Sequence, residues 1–173
     1  MKKLLLPVFL LGTLIMMYMM ADTGALLKTP AAKLGIINLE LAYNTTQTTA
    51  ILNSWAPTAS NDRIAAARFN TYSDFLFLFF YAGFLLLACR AIAKNSKGAL
   101  AKWGYYIASG TLVAGFADVL ENTGILFSLN NLVSPLVSFC TAFFSVIKWS
   151  LVVIAVLYLI TGLLALAYRK IKG

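Results

Sequence analysis

Residues 134–172 read SPLVSFCTAFFSVIKWSLVVIAVLYLITGLLALAYRKIK, and between Ser134 and Tyr168 the only charged residue is Lys148. A run this apolar and this long is the signature of a membrane-crossing helix. At about 1.5 Å per residue, residues 134–168 make a helix of roughly 52 Å, well beyond a hydrocarbon core of about 30 Å, so the helix must tilt or project from the bilayer. It closes on Arg169, Lys170 and Lys172, the basic stop expected on the cytoplasmic side.

Three further runs have the same character. Residues 4–21 follow Lys2 and Lys3 and end before Asp22; a secretory signal peptide is built in this way too, and we read the run as the first span. Residues 72–93 are dense in Phe and Leu and run into Arg90 and Lys94, while residues 103–128 open on Trp103 and Tyr105. The expected fold is therefore all-α, a single membrane domain over residues 1–173 built as a four-helix transmembrane bundle.

The composition agrees. The 173 residues are 61% hydrophobic and 12% charged, more apolar surface than one soluble core of this size could bury. The net charge of +8 does not point to nucleic acid, because the basic residues flank the apolar runs and form no solvated face. Cys89 and Cys140 lie inside apolar runs and read as small fillers. The chain has no histidine, which excludes imidazole-ligated haem, His-based zinc and His-dependent triads; the sequence calls for no cofactor and no metal site.

With four spans, Lys2, Lys3, Arg90, Lys94, Lys97, Lys102, Arg169, Lys170 and Lys172 fall on one side, and no acidic residue joins them. That bias puts both termini in the cytoplasm. The opposite side receives the Asn130-Asn131 turn and residues 22–71, which carry Lys28, Lys33, Glu40, Asp62, Arg63 and Arg68. This outer segment reads as short amphipathic helices lying over the bundle: one opened by Thr29-Pro30 with Leu34, Ile37 and Leu41 on a face, one opened by Asn44 with Gln47 and leading to Ile51, Leu52 and Trp55, and one opened by Asn61-Asp62.

The residues that oppose insertion are the candidate site. Asp118, Glu121 and Asn122 share a face of the third span, extended by Thr111 and Gly115; Ser134, Ser138, Thr141, Ser145 and Lys148 form a stripe on the fourth. Acidic or basic side chains near a span's centre cost about 2.5–3.5 kcal/mol each to insert, so these must face protein or a water-filled cavity. Counted from the Asn130-Asn131 turn, Lys148 lies about one helical turn deeper than Asp118, roughly 6 Å, and opposed side-chain lean closes the gap. The expectation is a Lys148–Asp118 ion pair, with Glu121 and Asn122 completing the network nearer the outer surface. Asp74 and Tyr81 lie seven residues apart on one face of the second span and, with Glu121, make a candidate outward-facing pocket walled by Phe75, Phe77, Phe116 and Phe127. Taken alone, Asp74 reads more simply as a first-turn residue at a helix N-terminus.

The short first span, the outer segment ending near Ser54-Trp55, the opening Asp74-Phe75-Leu76-Phe77 and Asp118-Val119-Leu120-Glu121-Asn122 together resemble uncharacterised bacterial four-span membrane proteins. The resemblance implies a four-helix architecture in a bacterial cytoplasmic membrane and brings no activity with it.

Three functions remain open. The first is a non-catalytic membrane protein that binds a lipid or a protein partner, or a second copy of itself, with the ionic cluster holding the bundle in register. The second is a carrier or channel component that passes protons or solute along the cluster; no inverted repeat or pair of broken helices supports it. The third is a membrane enzyme acting on a lipid or quinone, with Glu121 or Asp74 as general base.

Overall fold

The computed structural model describes residues 2–57 and 62–172. Four helices are long and apolar enough to cross a membrane: α1 (Lys2–Gly24), α4 (Arg63–Lys94), α5 (Gly98–Leu129) and α6 (Pro135–Lys172), with the short α2 (Ile36–Glu40) and α3 (Thr45–Ser54) between the first two. The bundle has α4 at its centre. It packs against α1 on one flank and against α5, which in turn packs against α6.

Lipid tails are as apolar as leucine, so helices inside a bilayer hold together by close contact rather than by hiding from water. Small residues supply that contact here. Gly12 of α1 receives the Phe80 ring and Gly83 of α4 receives Phe9, a reciprocal fit that a methyl group at either glycine would break. Toward the basic end, Gly104 leaves room for Tyr158, whose hydroxyl donates to the Leu100 carbonyl at 3.0 Å. Cys89, Ile92, Ala108 and Ala155 are buried in the same seam.

The outer segment forms a second core above this seam. Leu27, Ala32, Leu39, Ala42, Ile51 and Trp55 pack on Ala67 of α4 and on Ile125 and Leu129 of α5. Trp55 is fully buried and donates its indole N–H to the Leu27 carbonyl at 2.8 Å. Side chains of α4 tie this end of the molecule together: Arg68 donates to the Leu129 carbonyl of α5 at 2.8 Å, Asn70 to the Met20 carbonyl of α1 at 3.1 Å, and Arg63 to the Leu26 carbonyl of the segment after α1 at 3.1 Å. The Leu129 and Leu26 carbonyls are ones that a helix end or turn leaves open.

Three expectations for this region need correction. Thr29-Pro30 opens no helix; Thr29 and Ala32 exchange backbone hydrogen bonds in a tight turn, and α2 begins only after Gly35, which has φ +64°. Leu34 and Leu41 are exposed, and the buried residues of α2 are Leu39 and Glu40. The Asn61-Asp62 start lies partly outside the described residues, but the Asp62 side chain accepts from Ala65 N–H and caps α4 itself. The second span is thus one helix with residues 63–71, not a separate piece. The Asn44 start is correct: the side chain caps Gln47 N–H at 2.9 Å, and the Gln47 side chain accepts from Tyr43 N–H at 3.2 Å.

Depth follows from counting residues back from the basic end. From Arg90 to Asp74 and from Lys102 to Asp118 are sixteen residues each, about 24 Å of helix; from Arg169 to Lys148 are twenty-one, about 32 Å. The charged residues therefore share one layer toward the end of the bundle away from the basic residues, in helices long enough to cross a core about 30 Å thick. Beyond Lys148, α6 continues outward for about 20 Å and meets the cap, where Ser138 and Thr48 share a buried hydrogen bond of 2.9 Å. The excess length of α6 projects.

Candidate functional site

The i, i+3, i+4 spacing on α5 works as expected: Asp118, Glu121 and Asn122 are all buried, and so are Ser138, Thr141, Ser145 and Lys148 across from them. Lys148 Nζ lies 2.7 Å from Glu121 Oε1 and 3.3 Å from Asp118 Oδ1. The pair with Asp118 exists, but the shorter contact is with Glu121, which belongs to the centre of the network and not to its outer margin. The depth mismatch is smaller than a count from the turn suggests, because Leu132, Val133 and Ser134 are not helical and take up chain without adding depth to α6.

The third partner comes from outside the span helices. Glu40, at the end of α2, brings its Oε2 within 3.4 Å of Lys148 Nζ and also accepts from the Trp149 indole at 3.1 Å. An ammonium has three donors, and here each points at a different carboxylate. Nothing in the hydrophobic pattern marks Glu40, since a charge between spans reads as solvated. The signal available was its position inside Ile-Ile-Asn-Leu-Glu-Leu, a run too apolar to float free.

A second layer of hydrogen bonds continues from Asp118. Tyr81 donates its hydroxyl to Asp118 Oδ2 at 2.7 Å, and Asn122 Nδ2 bridges Asp118 Oδ1 at 3.3 Å and Asp74 Oδ2 at 2.7 Å. Asp74 is not a first-turn residue: α4 begins eleven residues earlier, so Asp74 sits mid-helix with Asn122 as its partner. Its other oxygen receives no donor among the described residues. Glu121 Oε2 and Ser145 Oγ are also buried without a partner among them. An unsatisfied buried acceptor costs about 1–3 kcal/mol.

Beside this network lies a cavity of about 670 Å³, open on one side. Asp74, Tyr81 and Phe77 of α4, Asp118, Glu40, and Lys148 with Trp149 form its polar end, and Met17, Met20, Phe84, Leu85, Val152 and Val156 form its apolar body. Lys28 is exposed at its rim. The flanking helices α1 and α6 form no packed seam with each other, so the cleft between them is floored by α4 and roofed by Ile36, Ile37 and Glu40. Of the expected walls only Phe77 lines it; Phe116 and Phe127 are exposed on the outside of the bundle. Glu121 lies behind the wall. The sequence could not reveal this void, because it depends on α1 leaning on α4 and leaving α6 uncovered.

No protein-family model, no curated protein and no solved structure matches this chain. The site must be read from its own chemistry. Among the described residues, no group of acidic and cysteine side chains is arranged to hold a metal ion. Volume and lining fall within the range of small-molecule sites, mostly apolar with a few convergent polar groups at one end.

Proposed function

We propose that this protein is a multi-pass protein of a bacterial cytoplasmic membrane that binds an amphiphilic molecule, a lipid or a lipophilic small molecule, in the cleft between α1 and α6. The observation that carries the reading is the joining of an apolar cavity of about 670 Å³ to the polar layer around Lys148, at the depth where a bilayer passes from tails to headgroups. A ligand entering sideways would lay its chain along Met17, Leu85 and Val152 and present its polar end to Asp74 and Tyr81. The resemblance to bacterial four-span proteins favours that membrane, and the basic residues at one end of the bundle favour cytoplasmic termini.

Trp149 lines the cavity and reports on it. In a variant in which Trp55 and Trp103 are replaced by Phe, brominated lipids or amphiphiles that enter the cleft should quench Trp149 at substoichiometric concentration and in a saturable way. Quenching that only follows bulk bromine content would remove the binding reading. A cysteine placed at Lys97 should react with an impermeant reagent only from the cytoplasmic face; reaction from outside in intact cells would invert the orientation.

A second reading, proton or solute passage, is favoured by the chain Tyr81, Asp118, Asn122, Asp74, whose hydrogen bonds lead to the cavity. Against it, the seam toward the basic end is closed by Leu85, Cys89, Ile92, Ala108, Ala155 and Tyr158. Dissipation of a proton gradient in proteoliposomes by the wild type, abolished in Asp118→Asn, would favour passage over binding.

A further inference from the structure

Resting on that binding reading, we infer that the occupant of the cleft is an organic cation: an ammonium group carried on an apolar body. The inference follows from counting donors and acceptors at the polar end. Lys148 has three N–H donors and three carboxylates within 3.4 Å, so it has none left for an anionic ligand. Asp118 is also engaged on both oxygens, by Tyr81 on one and by Lys148 and Asn122 on the other.

Asp74 is different. It is 9% exposed, lines the cavity, and has one oxygen held by Asn122 while the other meets no donor among the described residues. Glu40, 7% exposed and also lining the cavity, holds both of its donors on Oε2. Two carboxylates, each with one oxygen that accepts from no N–H or O–H among the described residues, thus line a space that Phe77, Tyr81, Phe84 and Trp149 also line. An ammonium is the ligand group that bonds to carboxylates and is attracted to ring faces, and the low dielectric of the site strengthens both interactions. An anion placed there would meet carboxylates, and among the residues that line the cavity the one cation besides Lys148 is Lys28, exposed at the rim. A neutral head would bond to these carboxylates only through neutral donors, which make weaker hydrogen bonds than an ammonium does.

Two sources carry this chemistry, a phosphate-free long-chain amine and the ethanolamine end of an aminophospholipid whose phosphate would lie outward toward Lys28. The test uses the full chain in phosphatidylcholine nanodiscs with three photoreactive probes of equal chain length, ending in an amine, an alcohol or a carboxylate, and maps the labelled residues by mass spectrometry. The amine should label Met17, Phe77 or Trp149 about tenfold more than either other probe, the factor expected of one desolvated charge contact. Asp74→Asn should abolish that preference while leaving labelling by the alcohol unchanged. If Asp74→Asn does not fold, the wild-type preference among the three probes decides the matter by itself. Competition by phosphatidylethanolamine in the nanodisc identifies the phospholipid source, and its absence identifies the free amine; either supports the cation. Equal labelling by all three probes, or preference for the carboxylate, overturns the inference while keeping the cleft as a binding site. Absence of cavity labelling by any probe overturns the binding reading itself.

Discussion

The two halves of the bundle are held by different means. Toward the basic end, α4, α5 and α6 meet through Gly104, Ala108, Ala155 and Gly162, and the rings and branched chains that fill the seam sit against them. Toward the outer end the same helices meet through Asp74, Asp118, Glu121 and Lys148, and beside these the packing gives way to a cavity. Close packing dominates the inner half, with the Tyr158 hydroxyl on the Leu100 carbonyl as a polar tie. Charge sets the outer half, where direction and partner are fixed without the space being filled. A membrane protein that must admit a ligand can do so where polar contacts, not contact area, hold the walls in place.

The strongest way to break this contrast is Lys148→Met. Removing one partner of a buried ionic network typically costs about 3–5 kcal/mol, and here three carboxylates lose their counter-charge together. Equilibrium unfolding in mild detergent should show a loss of that size. Pairing it with Asp118→Leu should restore only part of the stability, because Glu121 and Glu40 remain; full restoration would mean that Asp118 is the sole partner that matters. In the inner half, Gly104→Ala should cost about 1–3 kcal/mol by overpacking, since the added methyl meets the Tyr158 hydroxyl and the Ala93 side chain. Tyr158→Phe in the same chain should relieve only part of that cost, since the ring carbon that carried the hydroxyl and the Ala93 side chain still crowd the added methyl. A salt titration sharpens the contrast further: neither loss should shift much with ionic strength, because both sites are shielded from solvent. The smallest effect belongs to the cap. Asn44→Ala removes the α3 N-cap and should cost about 1 kcal/mol, seen as faster amide exchange in residues 45–54 with the spans unchanged.

The spans were legible because a hydrocarbon solvent demands long apolar helices and little else forms them. Their ends were less so: Ala65, Ala66 and Ala67 extend α4 outward with no hydropathy signal to show it. The Lys148 network was partly legible, since helical spacing puts Asp118 and Glu121 on one face and the hairpin brings Lys148 opposite. Glu40 was not, because no periodicity relates a five-residue helix to the span it touches. The cavity was not, because a void is a property of how helices lean and leaves no residue as its marker.

Glu40, Asp118 and Glu121 all precede Lys148 in the chain, and this sets an order of events during synthesis. When α6 leaves the ribosome, the carboxylates that receive its lysine have already been made, two in the preceding span and one in the outer segment. This helix therefore finds a waiting acceptor, which offsets the cost of placing its ammonium in the membrane. A nascent chain that ends before α6 has no such lysine to offer, and its acidic residues stay unmatched.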